Sequence, residues 1–215
     1  MKNNNLTKNA TFKIRNAIIF GELKLGEALS EFGVCEKYNL SKTPVREAFT
    51  ILNHEGLINK INRKGCFVFD ITVNEIEQIA ELRYLYENFA IKKSIRNNKI
   101  EFIDRLEDIY LKMKDASDSQ NYLKYLNVDT EFHKSFFIYA NNKYLENSYN
   151  NLSNKIQALR YYVVKNAVEG GEGIKSHKTI LDAAKNENYD MLSENLKKHL
   201  ITWLNKYRLS FKIDF

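Results

Sequence analysis

A mainly α-helical protein with one short β-hairpin in its first third is what the sequence predicts, and three observations lead there. The only proline among 215 residues is Pro44, inside "LSKTPVREAF". Two β-rich runs, "LINKI" and "CFVFDI", flank the turn-like "NRKG". From residue 72 onward there is no proline and no strand-like alternation, while apolar residues recur with helical spacing.

Residues 9–20 read as a helix, with Phe12, Ile14, Ala17, Ile18 and Ile19 apolar and Gly21 at its end. A turn carrying Gly26 follows, then a short helix over 30–38 that stops near Asn39. Proline has no N–H and holds φ near the helical value, so it fits the first turn of a helix, where backbone donors have no intrahelical acceptor. The simplest arrangement has Thr43 as the cap and Pro44 as the first residue, with Ser41 as the alternative cap. Val45, Ala48, Phe49 and Leu52 then stand at i, i+3, i+4 and i+7 and form one apolar stripe. Gly56 can take the left-handed conformation that closes this helix, and Gly65 lies in the turn of the hairpin.

Helix, helix, turn, helix, hairpin is the order of a winged helix-turn-helix, with "YNLSK" as the turn and the hairpin as the wing. Lys42, Thr43 and Arg46 project from the N-terminal end of the would-be recognition helix. Side chains there meet base edges in a major groove, and arginine can hold guanine O6 and N7 at once, so Arg46 is the candidate for base readout. Its alternative role is an ion pair with Glu47 or Glu55. Arg63, Lys64 and Gly65 form the wing tip, where the two cations can reach phosphates or the minor groove, or simply be solvated.

Charge agrees with a polyanionic partner. The net charge is +6, and residues 1–70 carry 11 Lys and Arg against 7 Asp and Glu, while 71–215 carry 22 against 20. No run of 18 apolar residues occurs, so no membrane span is expected. The polar N-terminus lacks the apolar core of a secretory signal. Cys35 and Cys66 are too few for a disulfide framework, and a reducing cytoplasm is the expected location.

The second part, from residue 73, reads as an all-helical bundle of about six helices. In "VNEIEQIAELRYLYENFAIKKSI" the apolar side is drawn by Ile76, Ile79, Ala80, Leu82 and Leu85. Further helices are expected near 100–116, 119–140, 142–168, 174–186 and 188–211. The join at "DITVN" is short, which divides the chain into domains 1–72 and 73–215. Asp129 and His133 are spaced i, i+4 on one helix face, and His177 and His199 lie on two later helices beside apolar residues that turn them inward. One carboxylate and three imidazoles converging in a bundle core would suit Zn, Ni, Mn or Fe; the alternative is three unrelated, hydrogen-bonded histidines. "EGGEGIKS", at 169–176, fails the spacing of a phosphate-binding loop and reads as a helix connection.

"LSKTPVREAFTILNHEGLINKINRKGCFV" resembles the DNA-binding segment of the GntR family of bacterial transcription regulators. Ser41, Thr43, Pro44, Val45, Arg46, Glu47, Ala48, Glu55, Gly56, Leu57 and Gly65 fall in register with its pattern. Lys42 stands where the family usually has arginine, and Phe32 where many members carry a basic residue. Lysine keeps the charge but loses the bidentate fork, which implies a different operator. Residues 75–211 resemble the FCD ligand domain of the FadR subfamily, whose metal-binding members match Asp129, His133, His177 and His199 one by one. Arg83, Glu87 and Asn142 match that subfamily as well.

The resemblance implies a homodimeric repressor that binds an inverted-repeat operator in double-stranded DNA. It also implies a small organic acid as effector, bound at the divalent metal with Arg83, Arg160 and Tyr161 as candidate contacts. Two other readings stay open on the residues: a regulator for which the ion itself is the signal, and a metal-dependent hydrolase.

Overall fold

The structure is a computed structural model, and its described residues are 2–166 and 172–210. Its elements are α1 (Lys2–Ile19), β1 (Ala28–Leu29), α2 (Glu31–Tyr38), α3 (Lys42–His54), β2 (Ile58–Ile61) and β3 (Gly65–Val68), then α4 (Val73–Asp118), α5 (Tyr122–Ala140), α6 (Lys143–Asn166), α7 (Glu172–Lys185) and α8 (Tyr189–Ser210). The chain divides into two compact units, Met1–Thr72 with Asn151–Tyr161, and Val73–Asn150 with Tyr162–Phe215. Among the described residues no helix is long and apolar enough to cross a membrane.

In the first unit, α1 starts well before residue 9 and packs along α3. Ala10, Ile14, Ala17 and Ile18 form its buried stripe, whereas Phe12 stays exposed. Ser30 caps α2 by accepting from Gly33 N at 2.9 Å, and Asn39 ends it with φ 50°. The α3 helix begins two residues earlier than the simplest sequence arrangement: Ser41 is the cap and Lys42 the first residue. The Ser41 carbonyl accepts from Val45 N at 3.3 Å, so Pro44 still lies in the first turn, where its missing N–H costs nothing. Val45, Ala48 and Leu52 are fully buried, and Gly56 follows the helix with φ 68°.

The wing is a three-stranded antiparallel sheet in the order β1-β3-β2, with β3 central. Lys60 and Leu29 both stand opposite Cys66, one on each side. Two-residue β1 is too short to show alternation, which is why the sequence gives only the hairpin.

Among its described residues the second unit has helices as its only regular elements, joined by short connections. Inside α4, Asn98 breaks the helix (φ −158°, ψ 82°), and its side chain accepts from Glu101 N at 3.3 Å, capping the second half. That break accounts for the two helices expected here. The inward face of α4 differs from the one its apolar residues suggest: Leu85 is 61% exposed, while Arg83 and Glu87 are completely buried. Ile76, Ile79, Arg83, Glu87, Ala90 and Ile91 form the true inner stripe, in which an ion pair replaces two apolar residues. Around it, Phe102, Leu106, Phe132, Phe136 and Phe137 fill the core. Asn142 caps α6 by accepting from Leu145 N at 3.2 Å. The expected ends of α6 at 168 and α8 at 211, and residues 169–171 of "EGGEGIKS", lie outside the described residues; Glu172 already belongs to α7.

Candidate functional site

In the first unit Lys42, Thr43 and Arg46 are all exposed along the start of α3, as the buried stripe on the opposite side requires. The partner of Arg46 is neither Glu47 nor Glu55. Glu47 accepts from Thr7, and Glu55 is held by Arg15 Nε at 2.9 Å and Asn154 Nδ2 at 3.1 Å. Arg46 Nε instead meets Glu31 Oε2 at 2.7 Å, across from α2. Both groups are substantially exposed, so the pair contributes little and opens readily for a competing anion. At the wing tip Arg63 (φ 62°), Lys64 and Gly65 (φ 106°) are exposed. A Cβ at position 65 would touch nothing, so glycine is required there by backbone conformation alone. Phe32 is 72% exposed and therefore belongs to the surface of α2.

The second unit brings the four predicted ligands together. His133, His177 and His199 each offer one ring nitrogen, and these atoms lie within 4.8 Å of one another. Asp129 Oδ1 is 3.0 Å from His177 Nε2 and 3.9 Å from His133 Nε2. Helix spacing explains the last pair, because residues i and i+4 of α5 stand one turn apart on the same face. Phe132 meets the His177 ring edge-on at 5.0 Å, and Phe136 meets His133 at 5.5 Å, so aromatic edges wall the cluster.

The hydrogen bonds on the far side of each ring fix its chemistry. His133 Nδ1 is 2.8 Å from Glu87 Oε2, and His177 Nδ1 is 2.6 Å from the Gly173 carbonyl. Both oxygens only accept, so both Nδ1 atoms carry the proton. Ser176 Oγ donates to the Gly173 carbonyl at 2.8 Å and therefore accepts from His199 Nδ1 at 2.9 Å. With each Nδ1 bonded on the far side, the Nε2 atoms are the ones left for the shared space, where His177 Nε2 lies 3.0 Å from Asp129 Oδ1. That is the donor set a divalent transition ion takes, with outer partners that orient each imidazole and raise its basicity. Burial first, then electrostatic interaction with the neighbouring His177 and His133, pushes His199 well below the usual histidine value. A Cβ at Gly173 would lie 2.5 Å from Tyr125 Oη, so a larger residue there would have to displace that side chain.

Glu87 joins the site through more than one ring. Its Oε1 accepts from Arg83 Nε and from Tyr149 Oη, each at 3.1 Å. The Arg83 guanidinium lies 5.1 Å from the Trp203 ring, and its Nη1 and Nη2 are buried with no hydrogen-bond partner among the described residues. Arg83 also adds to the charges that disfavour a protonated His199, which sets it electrostatically near the cluster.

Arg160 and Tyr161 group with the first unit and not with the histidines. Arg160 is buried, and the Tyr161 ring meets Phe20 edge-on at 6.0 Å. Sequence reasoning about the site did not find the structural parts of Tyr149, Gly173, Ser176 and Trp203. Glu87 had a signal, its i+4 spacing from Arg83.

Comparison with known proteins adds independent findings. Residues 78–202 match the family described as the FCD domain, and residues 6–68 match bacterial regulatory proteins, gntR family. The chain is 27% identical to the gluconate operon transcriptional repressor of Bacillus licheniformis, over 87% of this chain and 79% of that protein. It is 22% identical to the gluconate operon transcriptional repressor of Bacillus subtilis, again over 87% and 79%. Its fold superposes on E. coli McbR/YncC with a TM-score of 0.81 at 19% identity, covering 96% of this chain and 98% of that one.

Proposed function

Since the chain belongs to the GntR family of bacterial transcription regulators and carries an FCD domain, we propose that it binds its operator under the control of a small organic acid held at a metal centre in the second unit. It is a DNA-binding regulator and not an enzyme, which removes the hydrolase reading. The observation that carries the proposal is the convergence of three imidazoles whose Nδ1 atoms are all hydrogen-bonded elsewhere.

Asp129, His133, His177 and His199 hold the ion, with Zn, Ni, Mn and Fe as candidates. When bound, it supplies coordination positions for a carboxylate. Arg83 then faces the rest of the acid, because its two terminal nitrogens form a planar fork matched to a second carboxylate or to hydroxyls. Residues 1–72 bind DNA through Lys42, Thr43, Arg46, Arg63, Lys64 and Gly65, and residues 73–215 carry the effector and the dimer contacts. A homodimer on an inverted repeat in the cytoplasm completes the reading. The acid shifts operator affinity only by the difference in its own affinity for the two arrangements of the dimer. Relatives named for gluconate operons make hydroxylated carboxylates the first acids to screen.

Trp203 is the chain's single tryptophan, and its place under Arg83 makes its fluorescence a direct reporter. Arg83→Lys is the informative variant. Alanine would leave Glu87 as an unmatched buried charge, at a cost of about 3–5 kcal/mol, whereas lysine keeps the charge and loses the fork. With zinc-loaded protein, a carboxylate that binds the wild type is expected to bind Arg83→Lys about tenfold more weakly, a loss of about 1.4 kcal/mol, with zinc content unchanged. Equal binding by both proteins would remove Arg83 from the effector site. Arg160→Lys and Tyr161→Phe in the same titration test the two remaining candidates.

A further inference from the structure

The first turn of α2 is anchored to both elements that carry the candidate DNA contacts. On one side, β1 pairs with β3 of the wing, and Leu29 stands opposite Cys66, the residue after Gly65 of the wing tip. Ser30 then caps α2, and on the other side Glu31 meets Arg46 Nε of α3 at 2.7 Å. Phe32 follows directly. It is 72% exposed, the most exposed of the large apolar side chains described in the first unit, ahead of Phe12 at 59%. Val34 is the α2 residue that turns into the core, so the Phe32 ring is left at the surface beside the base-reading candidate.

We propose that Phe32 is a specificity-determining residue of the DNA contact, and that it reads the 5-methyl group of a thymine in the major groove next to the guanine taken by Arg46. The proposal rests on the reading of α3 as the recognition helix with Arg46 at a base edge. A phenyl ring has no donor for a phosphate and no charge, so on DNA it gains only by leaving water against another apolar group. The major-groove edges of the base pairs offer one such group, the thymine methyl, and phenylalanine is among the side chains that meet it. In a helix-turn-helix the first helix crosses the backbone beside the groove that the second one enters. Here the end of α2 tied to the base-reading side chain is its first turn, where Phe32 stands next to Glu31. Each half-site of the operator should therefore carry a thymine next to the Arg46 guanine.

Deoxyuridine lacks the 5-methyl group and keeps the Watson–Crick edge, so it removes the contact from the DNA side alone. The probe is the best-bound duplex that the full-length wild type selects from a random-sequence pool, resynthesised with uracil at each symmetric pair of thymines in turn. Wild type is expected to lose about fourfold in affinity per half-site at one thymine position, the effect of one buried methyl. Phe32→Ala should bind the thymine duplex more weakly by at least that factor and should not distinguish thymine from uracil at that position. Its affinity for random DNA and its melting temperature should stay those of the wild type, because the ring lies outside the core. Phe32→Leu should keep part of the discrimination. Wild type indifferent to uracil at every position, or a uracil effect that survives in Phe32→Ala, would overturn the proposal. So would a loss in Phe32→Ala shared equally by thymine, uracil and random duplexes, which would assign the ring to sugar packing or to a wedge between base steps. Arg46→Ala on the same duplexes separates the two levels. Equal losses on selected and random DNA would remove the start of α3 from base readout and the Phe32 contact with it. A loss confined to selected DNA, beside a wild type indifferent to uracil, would remove the methyl contact alone.

Discussion

His177→Ala is expected to empty the metal centre. Purified wild-type protein, analysed by mass spectrometry before and after chelation, should hold close to one ion per chain and recover it on resupply, whereas the variant should hold none. The reasoning is geometric. His177 Nε2 is the ring nitrogen nearest Asp129, at 3.0 Å, and without it two imidazoles and one carboxylate remain on α5 and α8. Stability should follow occupancy, because an ion that binds only the folded chain contributes about 2.7 kcal/mol when its free concentration is 100 times its dissociation constant. Chelation should therefore lower the melting temperature of the wild type and leave that of His177→Ala unchanged. A variant that keeps its ion would show that the three rings do not act as one donor set.

Arg46→Ala should carry the largest effect on DNA. Its affinity for the operator is expected to fall by about 1–3 kcal/mol, with a much smaller loss on random DNA of the same length. Equal losses on both would assign Arg46 to phosphate contact alone. The pair with Glu31 adds a refinement: in the free protein the guanidinium is held by a neighbouring carboxylate on α2, which a guanine edge must displace. That exchange costs little, since exposed pairs contribute about 0–1 kcal/mol.

The fold was legible in the sequence wherever a single strong signal acted locally. Pro44 located the start of α3 to within two residues, and Gly56 and Gly65 located its end and the wing turn. The phase of α4 was not legible from hydrophobicity. Leu82 and Leu85 suggest an inner face, yet the inner positions belong to Arg83 and Glu87, whose burial is made possible by each other, by Tyr149 and by the His133 ring. A buried ion pair looks like surface until its partners, some of them 46 and 62 residues away, are in view. The same reason hid the Glu31 partner of Arg46, which comes from another helix.

The four candidate ligands show what spacing can and cannot give. Asp129 and His133 share a face by helix geometry alone. Their convergence with His177 and His199 needs the packing of α5, α7 and α8, and so does the set of far-side hydrogen bonds that fixes each tautomer. Gly173 is the clearest case: its carbonyl orients both His177 and Ser176, and its missing side chain admits Tyr125, but nothing in the sequence around it signals either role.

X-ray absorption at the zinc edge of the zinc-loaded protein tests the donor set most directly. The account predicts a first shell of three imidazole nitrogens and one carboxylate oxygen at about 2.0–2.2 Å, with imidazole scattering lost in part in His199→Ala. A shell of water oxygens, or one containing sulfur from Cys35 or Cys66, would contradict it.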